Sequence, residues 1–131
     1  MRLGMLSLLA FAGSVYGDPG QGWLPLYKDD TKEAFLESIY KKPDEHSMSV
    51  RVLINHLKPD MVTKEVKSAI TERIYDCKNF RWAIAKIEFY SAPNGKGKLL
   101  GDNKPESLKW YKFSEESTAN FLHNKVCKSL L

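Results

Sequence analysis

Cysteine is scarce in this chain: Cys77 and Cys127 are the only two among 131 residues. That excludes Cys-x-x-Cys redox motifs and zinc ribbons, which need thiolates in closely spaced pairs. Histidine is almost as rare. His46, His56 and His123 never stand three or four apart, the spacing that sets two ligands on one helical face. No metal site is therefore expected, and His123 reads as a histidine at the edge of a core. Charge of one sign is missing too. The 20 Lys and Arg residues are interleaved with 16 Asp and Glu, for a formal net charge of +4. So mild a balance lacks the footprint of a nucleic-acid binder and favours only weak attraction to acidic surfaces. There is no Gly-x-Ser-x-Gly elbow, and the run Asn94-Gly95-Lys96-Gly97-Lys98 does not complete the phosphate-loop pattern. The acid pairs Asp29-Asp30 and Glu115-Glu116 fall on a turn and a helix start, where they need no catalytic explanation. No enzyme activity and no cofactor are expected.

Long hydrophobic runs are limited to one, from Leu3 to about Val15, preceded by Arg2 and ending in Val15-Tyr16-Gly17. This is the layout of a secretory signal peptide over residues 1–17, cut after Gly17. The run is shorter than the roughly 20 residues a spanning helix needs, and nothing later in the chain could span a bilayer. No cysteine follows the run to take a lipid. Residues 18–131 then form one domain of an exported protein. In an oxidising compartment two cysteines far apart in sequence are most simply one disulfide, Cys77 to Cys127; two buried thiols and a redox pair are the alternatives.

Residues 22–27 and 33–40 are short apolar segments separated by Lys28-Asp29-Asp30-Thr31. The second is balanced between a brief helix, favoured by Ala34, Leu36 and Glu37, and a strand. Pro43 is expected to break the chain. Over residues 47–57, Val50, Val52 and Ile54 alternate with Arg51, Leu53 and Asn55, the period of a strand. A second strand is expected over 68–77. The strongest covers 80–90, with Ala83, Ala85, Ile87 and Phe89 on one face. Phe80, Trp82 and Ile84 lie on the other, which turns charged at Lys86 and Glu88. Partial apolarity on both faces places this strand centrally. Asn94-Gly95 predicts a hairpin turn, followed by strands near 98–101 and 108–112.

The period then changes. Ser114 can cap a helix with Glu115 and Glu116 in its first turn, and Ala119, Leu122, Val126 and Leu130 form an apolar stripe. His123 and Cys127 lie on the edge of that stripe, and Phe121 points away. The expected fold is α+β: a small antiparallel sheet with a C-terminal helix packed on one face and fastened to it by one disulfide.

Basic residues cluster with aromatics around the strongest strand, the hairpin and the last strand. If the hairpin and last strand lie side by side, Arg81, Trp82, Lys96, Lys98, Trp110 and Tyr111 form a partner-binding patch. Its rings would give contact area and its lysines would steer. The alternative is a set of solvated lysines that blunts a sheet edge.

The order of several short motifs resembles the surface-adhesin protein E family of Gram-negative bacteria. Asp76, Cys77, Lys78 and Arg81 open a strand that ends at Tyr90-Ser91. A turn from Gly95 to Gly97 follows, then Trp110, then Val126-Cys127 at the close; Trp23 fits near the mature start. The resemblance implies a small antiparallel sheet tied to its helix by the Cys77–Cys127 bridge, at the cell envelope or surface. It also implies a protein partner, since the founding member is a lipid-anchored adhesin for host extracellular-matrix proteins. This chain departs from the pattern in lacking a lipidation cysteine, and in carrying Ser114-Glu115-Glu116-Ser117 where the family usually has Pro-Gly-Ser. The alternative role is a periplasmic structural or assembly component, a homodimer through the face of Trp82 and Ile84.

Overall fold

The structure, a computed structural model, describes residues 19–20, 22–38, 40–58, 65–112 and 118–128. The expected signal peptide, the Ser114 cap with Glu115 and Glu116, and Leu130 lie outside the described residues. Among the described residues eight strands precede one helix: β1 (Trp23–Lys28), β2 (Lys32–Glu37), β3 (Lys41–Asp44), β4 (Ser47–His56), β5 (Ser68–Asp76), β6 (Arg81–Ala92), β7 (Lys96–Asn103), β8 (Tyr111–Lys112) and α1 (Thr118–Cys127). All form one antiparallel sheet in the order β1-β2-β4-β5-β6-β7. β3 pairs with the first part of β4 and β2 with the rest; likewise β8 and β7 pair with different parts of β6.

The segment balanced between helix and strand is a strand. In β2, Leu36 packs with Val52 on one face of the sheet while Phe35 packs with Leu53 on the other. Only a strand flanked by two others buries consecutive side chains on opposite faces. That burial outweighs helix propensities worth a few tenths of a kcal/mol per residue. Pro43 does not break the chain. It sits inside β3, an exposed strand at the edge, where a missing N–H costs no ladder bond.

β6 departs from its expected faces. Arg73 stands opposite Ile84 and Glu72 opposite Lys86, so Ala85 has no partner of its own and forms a bulge. Beyond it the alternation flips. Trp82, Ile84, Ile87 and Phe89 share one face; Ala83, Lys86 and Glu88 share the other. β6 is interior to the sheet, yet β4 is its more buried strand.

The helix lays Leu122 and Val126 on Leu36, Met48, Val50, Val52 and Tyr75. Each fully buried side chain of this kind contributes about 1.5–3 kcal/mol. Phe121 points away and is exposed. Cys77 and Cys127 are bridged, with Cα atoms 5.7 Å apart, which ties the end of the helix to the end of β5.

The opposite face carries Phe35, Leu53 and Ile70 under Trp23 and Tyr90. The β6–β7 connection folds back over it as a 3-10 turn, Pro93–Gly95, so the return strand runs from Lys96 to Asn103, longer than expected. The Asn94 N–H donates to Asn55 Oδ1 (2.7 Å), and Asn55 Nδ2 donates to Asn94 Oδ1 (2.8 Å) and to Glu33 Oε2 (3.0 Å). The Gly95 N–H donates to Ser68 Oγ (2.9 Å), which donates to the Ala92 carbonyl (2.6 Å). Asn94 and Gly95 both have positive φ, as the Asn-Gly pair predicts. A Cβ on Gly95 would come within 2.7 Å of Ile70 Cδ1, so the turn lies close against the core.

Candidate docking surface

The turn between β5 and β6 is organised by Asp76. One carboxylate oxygen accepts the N–H groups of Lys78 (3.2 Å) and Asn79 (3.1 Å); the other accepts Asn79 Nδ2 (3.0 Å) and Arg81 Nε (2.8 Å). Burial alone would raise the pKa of this group, but the bonds from Asn79 and Arg81 outweigh it and hold the pKa at about 2. Arg81 also lies over the Trp110 ring at 4.2 Å. Its cation is thus occupied on both sides, by an acid and by a π-face.

The β6–β8 register pairs Arg81 with Lys112 and Trp82 with Tyr111. Side chains alternate across a sheet, so the pairs separate. Arg81 and Trp110 are on one face; Trp82 and Tyr111 are on the helix-bearing face. There the two rings are 5.2 Å apart, Arg73 lies 5.4 Å over Trp82, and Lys109 Nζ lies 5.4 Å over Tyr111. Tyr75 stacks behind Trp82 at 6.4 Å and leads into the core. Beyond the rings is a depression of about 220 Å³ lined by Ile84, Ile87, Asn103, Pro105, Lys109 and Tyr111.

Four of the six candidate residues therefore meet at one end of β6, two on each face. Lys96 and Lys98 do not join them. β7 and β8 lie end to end along β6, not side by side, and the 12 residues of β6 carry the hairpin about 35 Å from Arg81. Both lysines are exposed there, with the Lys98 N–H bonded to Ser91 Oγ. Arg73 and Lys109 were missed by sequence reasoning. Their places depend on cross-strand register, and the only signal was that each is basic and near an aromatic in the same run.

Two further clusters bear on chemistry. Sγ of Cys77 and Cys127 and a ring nitrogen of His123 come within 4.8 Å of one another, but the sulfurs are bonded to each other and present no thiolate. His123 is buried more deeply than a core edge, between the Phe80 ring (5.4 Å) and the Tyr75 ring (6.0 Å). Burial lowers its pKa, with Asp76 opposing. On the face away from the helix, Glu37, Lys41, Arg51, Glu72, Lys86 and Glu88 line a depression of about 250 Å³ with Ile70. Arg51 pairs with Glu37 at 3.1 Å and Lys86 with Glu88 at 3.6 Å. Three acids and three bases neutralise one another there, and no Ser, Cys or His in the lining offers a nucleophile.

The family model described as Surface-adhesin protein E matches residues 23–128. Among solved structures, crystal form II of Haemophilus influenzae protein E superposes with a TM-score of 0.61 at 17% identity, covering 89% of this chain and 98% of that one. A second structure of Haemophilus influenzae protein E gives 0.60 at 17% identity, over 86% and 89%. Protein E from the non-typeable organism gives 0.59 at 13% identity, over 85% and 78%. At these identities the likeness is one of fold. Comparison with curated protein sequences gives no significant match. Among the described residues no helix is long and apolar enough to cross a membrane.

Proposed function

Because the chain belongs to the surface-adhesin protein E family, we propose that it is an exported, non-enzymatic bacterial domain, periplasmic or displayed at the cell surface, that binds a protein partner. The family points to host extracellular-matrix proteins as the partner class. The observation that carries the docking site is the Trp82–Tyr111 ring pair, set under Arg73 and Lys109 beside an apolar depression. Rigid aromatic rings with basic neighbours are the composition of interface hot spots. Arg81 and Trp110 brace the same strand end from behind, and Lys96 and Lys98 act at a distance by steering.

Solid-phase binding to immobilised matrix proteins tests this, with Trp82→Ala and Tyr111→Ala checked for native circular dichroism. Binding is expected to fall tenfold or more in each, and by less than threefold in Lys96→Ala and Lys98→Ala. Undiminished binding in the aromatic variants sinks the site. Absence of matrix binding by the native protein, together with resistance to protease on intact cells, favours a periplasmic structural role. A concentration-dependent dimer lost in Trp82→Ala would assign the face to a second copy.

A further inference from the structure

The outer edge of β6 is interrupted. β7 pairs with it from Ile87 onward and β8 pairs with Arg81 and Trp82, so among the described residues no strand covers residues 83–86 on that side. The connection between β7 and β8 does not substitute. From Asn103 to Tyr111 the chain has eight steps in which to cover what β6 covers in five, and no backbone hydrogen bond joins it to β6. The slack opens the 220 Å³ depression beside this edge. The floor is apolar, from Ile84 and Ile87, and the one charged side chain in its lining is Lys109. Arg73, over Trp82, adds a second cation next to it.

A short strand edge with unpaired peptide groups, an apolar pocket beside it and cations at its margin is a template for strand addition. We propose that the gap receives an extended segment of a protein partner, a peptide with an apolar and an acidic residue two positions apart, so that both side chains point to the face of the pocket. Its backbone pairs with residues 83–86, an aliphatic side chain fills the pocket on Ile84 and Ile87, and a carboxylate meets Lys109. The inference rests on the protein-docking function above and adds the chemistry and conformation of what docks. The Ala85 bulge fits the same role. It turns both Ile84 and Ile87 to the face where the pocket lies, which an unbroken alternation would not do.

The test uses the intact, oxidised protein and capped octapeptides of Leu-Thr-Glu-Thr repeats or of Leu-Thr-Lys-Thr repeats, which keep Leu and the charged residue on one face of an extended strand. A third peptide is the Glu sequence with its central amides N-methylated. Amide chemical shifts and hydrogen exchange locate the site, and titration gives affinity. The Glu peptide is expected to slow exchange at outward-pointing amides within 83–86 and to bind at least tenfold more tightly than the Lys peptide. N-methylation is expected to cost a similar factor, and Lys109→Glu to remove the preference for acid. The inference is overturned if the Glu peptide leaves these amides unmoved at millimolar concentration, if it protects the outer edge of β1 or β7 instead, or if Lys109→Glu binds both peptides as the native protein does. Amides moved by a heparin fragment but not by peptide would also overturn it, in favour of an acidic polysaccharide. If Trp82→Ala abolishes matrix binding while the peptides fail, only the inference falls.

Discussion

Asp76 spends one carboxylate on four donors, and through Arg81 it connects the reversal of the chain to the end of β6 where docking is proposed. Removing it orphans two backbone N–H groups, the Asn79 amide and the Arg81 guanidinium. Asp76→Ala is expected to cost about 2–3 kcal/mol by urea denaturation at pH 7, since bonds to a charged acceptor are the stronger kind. The sign of the pH dependence follows from the folded pKa of about 2. The unfolded carboxyl titrates near 3.9, so the stabilisation is complete above pH 4 and is lost as pH falls toward 2. Asp76→Asn, which keeps the shape and not the charge, should differ most from the native protein above pH 4 and converge on it near pH 2. A constant gap across that range would show that the charge plays no part.

Elements were legible in the sequence to the degree that one face of each decides its burial. Alternation marked β4, β5 and β6, and the 3.6-residue period marked α1. Trp82 and Tyr111, the rings of the proposed docking site, stood out in the sequence as large aromatics beside Arg81 and Lys112. What local pattern does not carry is register. Ala85 is small enough to sit on either face, so nothing in its own run announces a bulge, and Ile87 and Phe89 were placed on the wrong side of the sheet as a result. Arg73 and Lys109 were missed for the same reason, since only their register across strands brings them to the rings. Asn94-Gly95 announced a turn but not its partner, because Asn55 stands 39 residues away. That partnership is testable as a coupling. The Asn55 side chain accepts the backbone N–H of Asn94 and donates to its side-chain carbonyl, and these two bonds dock the turn onto Leu53 and Ile70. A double-mutant cycle of Asn55→Ala and Asn94→Ala should give an interaction energy of about 1–2 kcal/mol. Additive effects would mean that the Asn94 side chain takes no part, and that the turn is held by the Asn94 N–H on Asn55, by Ser68 and by apolar contact.

The whole molecule divides its two faces between covers of different kinds. One face is covered by a helix joined to the sheet through side-chain packing and a single covalent bridge. The other is capped by a turn that belongs to the sheet itself. The helix is the more dispensable cover, because among the described residues it is held by the buried side chains of Leu122, His123 and Val126 and by the Cys77–Cys127 bond. The bridge closes a loop with a sequence separation of 50. On the chain-entropy model such a loop is worth about 4 kcal/mol, a large share of the total for a domain this small. Cys77→Ala with Cys127→Ala is therefore expected to lower unfolding stability by roughly that amount. Amide exchange should rise first in α1 and last in β4 and β5. His123 sharpens the expectation. It projects from α1 against the sheet, and its burial there lowers its pKa, with Asp76 opposing, so docking of the helix favours the neutral ring while an undocked helix lets it titrate near 6.5. Stability of the bridge-free protein should then be full above that pH and fall as pH drops below it. His123→Gln should flatten this limb. Uniform exchange across sheet and helix in the bridge-free variant would mean that the helix and sheet unfold as one unit, and that the bridge acts on the whole domain rather than on its cover.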